Sequence, residues 1–122
     1  MTDYSKMSDF EINKAVAEQL YKEKPSLIVQ RDVPSRPAVT VFCDIGDGEI
    51  VSILCADYCN NPVDAWPIIV ANEIGVVPSK SSNTYAWDLR GGMLKGIKHV
   101  DDNPLRAAMI VFLMMKDAES KN

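Results

Sequence analysis

The segment NPLRAAMIVFLMMKD, residues 103–117, limits the architecture more than any other part of this chain. Asn103 can cap free backbone amides and Pro104 brings the preset φ of a first helical residue, so a long helix begins here. Leu105, Met109, Phe112 and Met115 form one stripe, while Ile110, Val111, Leu113 and Met114 cover the other sides. A helix that is apolar all round has to be buried all round. In a chain of 122 residues two covers satisfy it. One is a sheet and the other helices of the same chain. The other is a second copy, in a homodimer through the C-terminal helix. The apolar run from Ala107 to Met115 is roughly half of what a bilayer-spanning helix needs, so no transmembrane segment is expected.

The other elements follow from shorter signals. S-D-F-E at Ser8–Glu11 is a capping box, with Met7 and Ile12 placed for a hydrophobic staple. Ile12, Val16 and Leu20 recur every four residues, with Phe10, Ala17 and Tyr21 beside them and Glu11, Lys14, Glu18 and Lys22 opposite. That is an amphipathic helix, ended by Pro25. Leu27–Arg31, Ala38–Ile45 and Glu49–Cys55 have strand character, and Asp47-Gly48 predicts an antiparallel hairpin between the last two. Thr84–Arg90 alternates, with Tyr85, Trp87 and Leu89 sharing a face. Residues 75–83 read as a polar loop, and residues 92–102 as irregular. The element order is α, β, β, β, α, β, α, an α+β pattern.

DYCNNPVDAWPII, residues 57–69, is the densest cluster of unusual residues. Asn61-Pro62 repeats the helix-start grammar of Asn103-Pro104. Pro67 is tolerable only in a first turn, which shifts the expected start towards Asp64, after a turn over residues 60–63. Trp66 is large for a helix start. It either staples the helix to the sheet, with its indole N–H on a carbonyl, or faces a ligand or partner. Tyr58, Asn60 and Asn61 lie beside it. With Trp87 and Arg90 from the alternating strand, these residues are the candidate binding set.

Composition bounds the function classes. The net charge of -4 and pI near 4.9 argue against a large electrostatic grip on nucleic acid or an anionic membrane. Three cysteines and a polar, acidic N-terminus without an apolar signal core point to a reducing compartment with free thiols. Cys43, Cys55, Cys59 and His99 are the soft ligands, but C-x3-C at Cys55 and Cys59 is not a zinc-knuckle spacing, so neither metal nor cofactor is expected. Cys59 with His99 and Asp101 or Asp102 is the one nucleophile arrangement available, and no spacing demands it. Gly91–Gly96 lacks phosphate-loop spacing. Arg31, Arg36, Arg90, Lys95, Lys98 and Arg106 could still gather into an anion patch. Asp44, Asp47, Asp101 and Asp102 read as caps and turn residues, and no catalytic residues are assigned.

MSDFEINKAVAE, DYCNNPVDAWPIIVAN and NPLRAAMIVFLMM together resemble the NinX-like family of small bacteriophage and prophage proteins, which is associated with the phage αβα-sandwich domain. The resemblance spans nearly the whole chain and is most distinctive over residues 57–72. It implies a phage or prophage origin and residence in the host cytoplasm. It brings no agreed reaction, cofactor or catalytic residue. Combined with the element order, it sets the fold expectation: a small αβα sandwich, with a mostly antiparallel four-stranded sheet packed by three helices. Residues 1–122 would form one domain, with frayed ends at 1–6 and 117–122. The leading functional expectation is a non-enzymatic accessory protein that binds a host or phage protein. The alternative is a small-molecule or enzymatic site near Trp66, Trp87 and Arg90.

Overall fold

A computed structural model describes residues 3–21, 26–30, 38–44, 50–77, 84–91 and 96–120. A single 3-10 turn at Tyr4–Lys6 precedes α1 (Asp9–Leu20), followed by β1 (Ser26–Gln30), β2 (Val39–Asp44) and β3 (Ile50–Ala56). Then come α2 (Pro62–Ala71), β4 (Ile74–Val77), β5 (Thr84–Asp88), β6 (Lys98–Asp101) and α3 (Pro104–Ser120).

The helix starts are those that the capping residues dictate. Ser8 Oγ accepts the Glu11 amide at 3.1 Å while Glu11 Oε1 accepts the Ser8 amide at 3.2 Å, closing the capping box of α1. Such a cap stabilises a helix by about 1 kcal/mol. Asn103 Oδ1 accepts the amides of Leu105 and Arg106 at 2.9 and 3.2 Å, and so caps α3. Asn61 Oδ1 accepts the Val63 amide at 3.0 Å, which starts α2 at Pro62. The later start expected near Asp64 is therefore wrong. Pro67 sits inside the helix. Its missing N–H would have met the carbonyl of Val63, and both residues lie on the solvent side, where water can take that carbonyl.

The expected single four-stranded sheet is also wrong. The six described strands form two three-stranded antiparallel sheets, ordered β1-β2-β3 and β4-β5-β6. The pairing of β2 with β3 agrees with the hairpin expectation, and a register shift at Cys43/Asp44 marks a bulge. The Asp47-Gly48 turn lies outside the described residues. The extra sheet comes from two strands hidden in the sequence. IGVV of β4 was masked by Gly75, which looks like a loop residue. In the fold, glycine is required at that point of the strand: a Cβ there would lie 2.7 Å from Cε2 and Cζ2 of the Trp87 indole on the neighbouring strand. The chain enters β4 through a tight turn with Glu73 at φ 54°, an unusual residue for the left-handed region. β6 reads as irregular because it is only four residues long.

Three α-helices are present among the described residues, and α3 is the centre of the molecule. It packs on β4, β5 and β6 on one side and on α1 and α2 on the other, while α1 also meets β1 and β2. Residues Ala107 to Leu113 and Met115 are all buried. Thus the apolar surface that suggested a homodimer through the C-terminal helix is already covered by the same chain. Near the two ends of the described residues, α3 runs on to Ser120 and the Tyr4 hydroxyl donates to Asp117. Among the described residues no helix is long and apolar enough to cross a membrane.

Candidate functional site

The cluster that begins at Asp57 and runs into α2 does two different jobs. Its first half is tied inward. Tyr58 and Cys59 are buried. Asn13, fully buried on α1, donates from Nδ2 to Asp57 Oδ1 at 2.9 Å and accepts the Cys59 amide on Oδ1 at 3.0 Å. Asn60 donates to Asp9 Oδ2 at 3.2 Å and to Asp57, and accepts from Asn103 Nδ2 at 3.1 Å. Asn103 Nδ2 also reaches the Cys59 carbonyl at 2.8 Å. Asp64 Oδ2 accepts the Asp57 amide at 2.9 Å. These bonds join the start of α1, the turn before α2 and the start of α3.

Arg106 completes this hub. Its Nη1 lies 2.8 Å from Asp9 Oδ1 and its Nε 3.1 Å from Asp101 Oδ2. Its Nη2 donates to the carbonyls of Met7, Tyr4 and Ser5 at 2.6, 3.3 and 3.4 Å. A planar guanidinium can meet so many acceptors at once because its donors are held in a rigid fork. The described residues do not show around it the anion patch that the basic residues could form. Arg106 is occupied internally, Arg90 is exposed and pairs with Asp88 at 3.3 Å, and Arg31, Arg36 and Lys95 lie outside the described residues.

The thiol arrangement is absent as well. The Cys59 Sγ points to the Asp9 carbonyl, 3.8 Å away, while His99 Nε2 faces Asp101 Oδ2 at 3.6 Å. Burial pushes the Cys59 thiol far above its ordinary range, and the nearby Asp9 carboxylate adds to the effect. A thiol held protonated is a poor nucleophile. Native Cys59 is therefore expected to react with iodoacetamide at neutral pH roughly 100-fold more slowly than in urea-unfolded chain, since reaction requires local opening. Peptide mapping by mass spectrometry at residue 59 reads this directly, and comparable rates in both states would contradict the packing. Among the described residues, no three His, Cys, Asp or Glu side chains gather as metal ligands.

The second half of the cluster faces outward. On α2, Ala65, Ile68 and Ile69 are buried, whereas Val63, Trp66 and Val70 are 79, 62 and 58% exposed. Spacings of three and seven place those three on one stripe. Trp66 is thus not a staple to a sheet. Asn61, at the head of the stripe, is exposed. Beside the stripe runs an open groove of about 390 Å³ whose walls include Leu20, Tyr21, Val63, Pro67, Ile68 and Ala71. A smaller groove of about 220 Å³ crosses Met7, Glu11, Lys14, Ala15 and Glu18. Neither is lined by Trp66, Trp87 or Arg90. Trp87 lies on the outer face of the second sheet against Gly75 and Leu89, and the fold does not bring it to Trp66 around either cavity.

The signals that sequence reading missed are Asn13, Asp9, Asp57 and Asn103 Nδ2. Only Asn13 left a trace: it is the one polar residue set in the buried stripe of Ile12, Val16 and Ala17.

This geometry defines a small α+β protein with a part-buried polar hub and an outward apolar helix face. Residues 3–116 fit the family model described as bacteriophage P22, NinX, and the chain belongs to that family. No curated protein and no solved structure matches it.

Proposed function

We propose that this phage-family protein is an accessory factor that binds another protein in the cytoplasm of the infected host, with the outer stripe of α2 as its contact surface. Residues 1–122 act as one domain in this reading. The observation that carries it is the double-sided apolar character of α2. A helix on the surface of a domain normally turns polar residues to water, and Val63, Trp66 and Val70 do not. The adjacent groove gives a partner's apolar side chain a place to enter. Exposed Trp is the residue type most enriched among energetically dominant contacts. Asn61 stands at the rim of this surface. Tyr58 and Asn60 hold the turn that presents it.

Trp66→Ala tests the assignment. Because the side chain is mostly solvated, its removal is expected to change folding stability by less than about 0.5 kcal/mol. At the same time it should weaken partner binding by at least about 2 kcal/mol, roughly 30-fold. Affinity capture from infected host lysate with wild type and variant, followed by titration of the purified partner, reads both quantities with a urea melt. Equal binding by the two proteins would remove Trp66 and its stripe from the role.

A further inference from the structure

The outer face of the second sheet offers a second apolar surface, independent of α2. An antiparallel sheet with one solvated face alternates apolar-in with polar-out. Here Ile74, Thr84 and Ala86 point inward and are buried, yet the outward positions, Lys98 apart, are apolar. Val77, Tyr85, Leu89 and Val100 are 46, 48, 52 and 40% exposed. The strand register puts Val77, Tyr85 and Val100 in one row straight across the sheet, and Gly75, Trp87 and Lys98 in the next.

We propose that this face pairs with the same face of a second copy, about a two-fold axis parallel to β5. The charges support this occupant. Exposed Glu73 stands at the β4 edge and exposed Lys98 at the β6 edge. An axis along the central strand exchanges the edges and keeps each row opposite itself. Val77 then meets Val100 of the second copy, and Tyr85 meets Tyr85. Lys98 comes over the edge that carries Glu73 and Gly75. The Trp87 indole lies across Gly75 there, so the ammonium meets an aromatic face as well as a carboxylate. Such self-complementarity is what an isologous contact requires. A face of this extent offers roughly 500 Å² per copy, about 1,000 Å² in all, at the lower end of specific interfaces. An interface of this size fits a weak, reversible dimer, with micromolar affinity the range to examine. Aligned sheets stacked about 10 Å apart give the packing geometry.

Sedimentation equilibrium from about 1 to about 300 μM brackets that affinity. Wild type is expected to pass from monomer to dimer across the range. Tyr85→Lys, a change at a half-exposed position, should weaken the dimer at least 10-fold with the far-UV circular dichroism unchanged. Lys98→Glu alone should weaken it through like charges, and Glu73→Lys combined with Lys98→Glu should restore it. Trp66→Phe leaves Trp87 as the sole tryptophan, and its emission should shift to the blue as the dimer forms. Trp66→Asp, which disables the α2 surface, should leave the dimer intact, so failure here and failure of the α2 reading are separable. A wild type that stays monomeric at 300 μM overturns the proposal. So does a dimer that survives Tyr85→Lys, a reversed charge pair that fails to recover, or a dimer that Trp66→Asp dissolves.

Discussion

Arg106→Ala is expected to destabilise the fold by about 3–5 kcal/mol, enough to lower the midpoint of thermal unfolding by roughly 10–20 °C. The size of the effect comes from what stays behind. Asp101 and Asp9 lose the cation that faces them at 3.1 and 2.8 Å, and the carbonyls of Tyr4, Ser5 and Met7 lose a shared donor. Asp9 is the more solvated of the two carboxylates and water can compensate it in part, so Asp101 bears most of the cost. Arg106→Lys should recover only a minority of the loss. An ammonium carries the charge but lacks the flat fork that reaches two acids and three carbonyls together. Arg106→Met keeps much of the volume and none of the donors, and should resemble alanine. Urea melts of the three variants give the order directly. A loss below about 1 kcal/mol for Arg106→Ala would mean that water already screens the hub, as at surface ion pairs.

The hub also shows where sequence reading reaches its limit. Signals confined to a few residues were legible. Ser8 with Glu11, Asn61 with Pro62 and Asn103 with Pro104 each announce a helix, because capping is chemistry between residues two or three apart. The pairing of β2 with β3 was legible from two β-rich runs around a turn signal. The sheet count was not. Gly75 reads as loop punctuation until the Trp87 ring above it is known, and that contact joins strands twelve residues apart. The hub was invisible for the same reason: Asp9, Asn13, Asp57, Asn60, Asp101, Asn103 and Arg106 come from three separate stretches of chain. The cluster around Trp66 looked like one unit in sequence. In the fold, the turn grips the core while the helix after it turns its tryptophan to solvent. Adjacent residues share a sequence neighbourhood without sharing an environment, and only the burial pattern separates the two.

Asn13→Ala is expected to cost about 2–4 kcal/mol, the sum of a buried amide left without a partner and the small void of the lost carboxamide. The Cys59 N–H has Asn13 Oδ1 as its acceptor at 3.0 Å, and Asn13 is fully buried, so no water replaces it without an opening of the core. Asp57 suffers less, because Asn60 still donates to it at 3.1 Å. Asn13→Leu should be no better than alanine, since filling the space does nothing for the amide. Asn13→Asp separates hydrogen bonding from size. At neutral pH the new carboxylate still accepts from Cys59 but stands against Asp57 where a donor stood at 2.9 Å, and the variant should be the least stable of the three. Burial and the neighbouring carboxylate both raise the pKa of that introduced group above its unfolded value. The folded state then binds the extra proton, so the penalty relative to wild type shrinks as pH falls and grows as pH rises through the neutral range. A proton on the carboxyl also restores a donor to Asp57. Wild type and Asn13→Asp, melted in urea between pH 5 and pH 8, should therefore diverge with rising pH, by up to about 1.4 kcal/mol per pH unit for one proton. Parallel curves would show that the Asn13 amide and the Asp57 carboxylate do not interact in the way their distance implies.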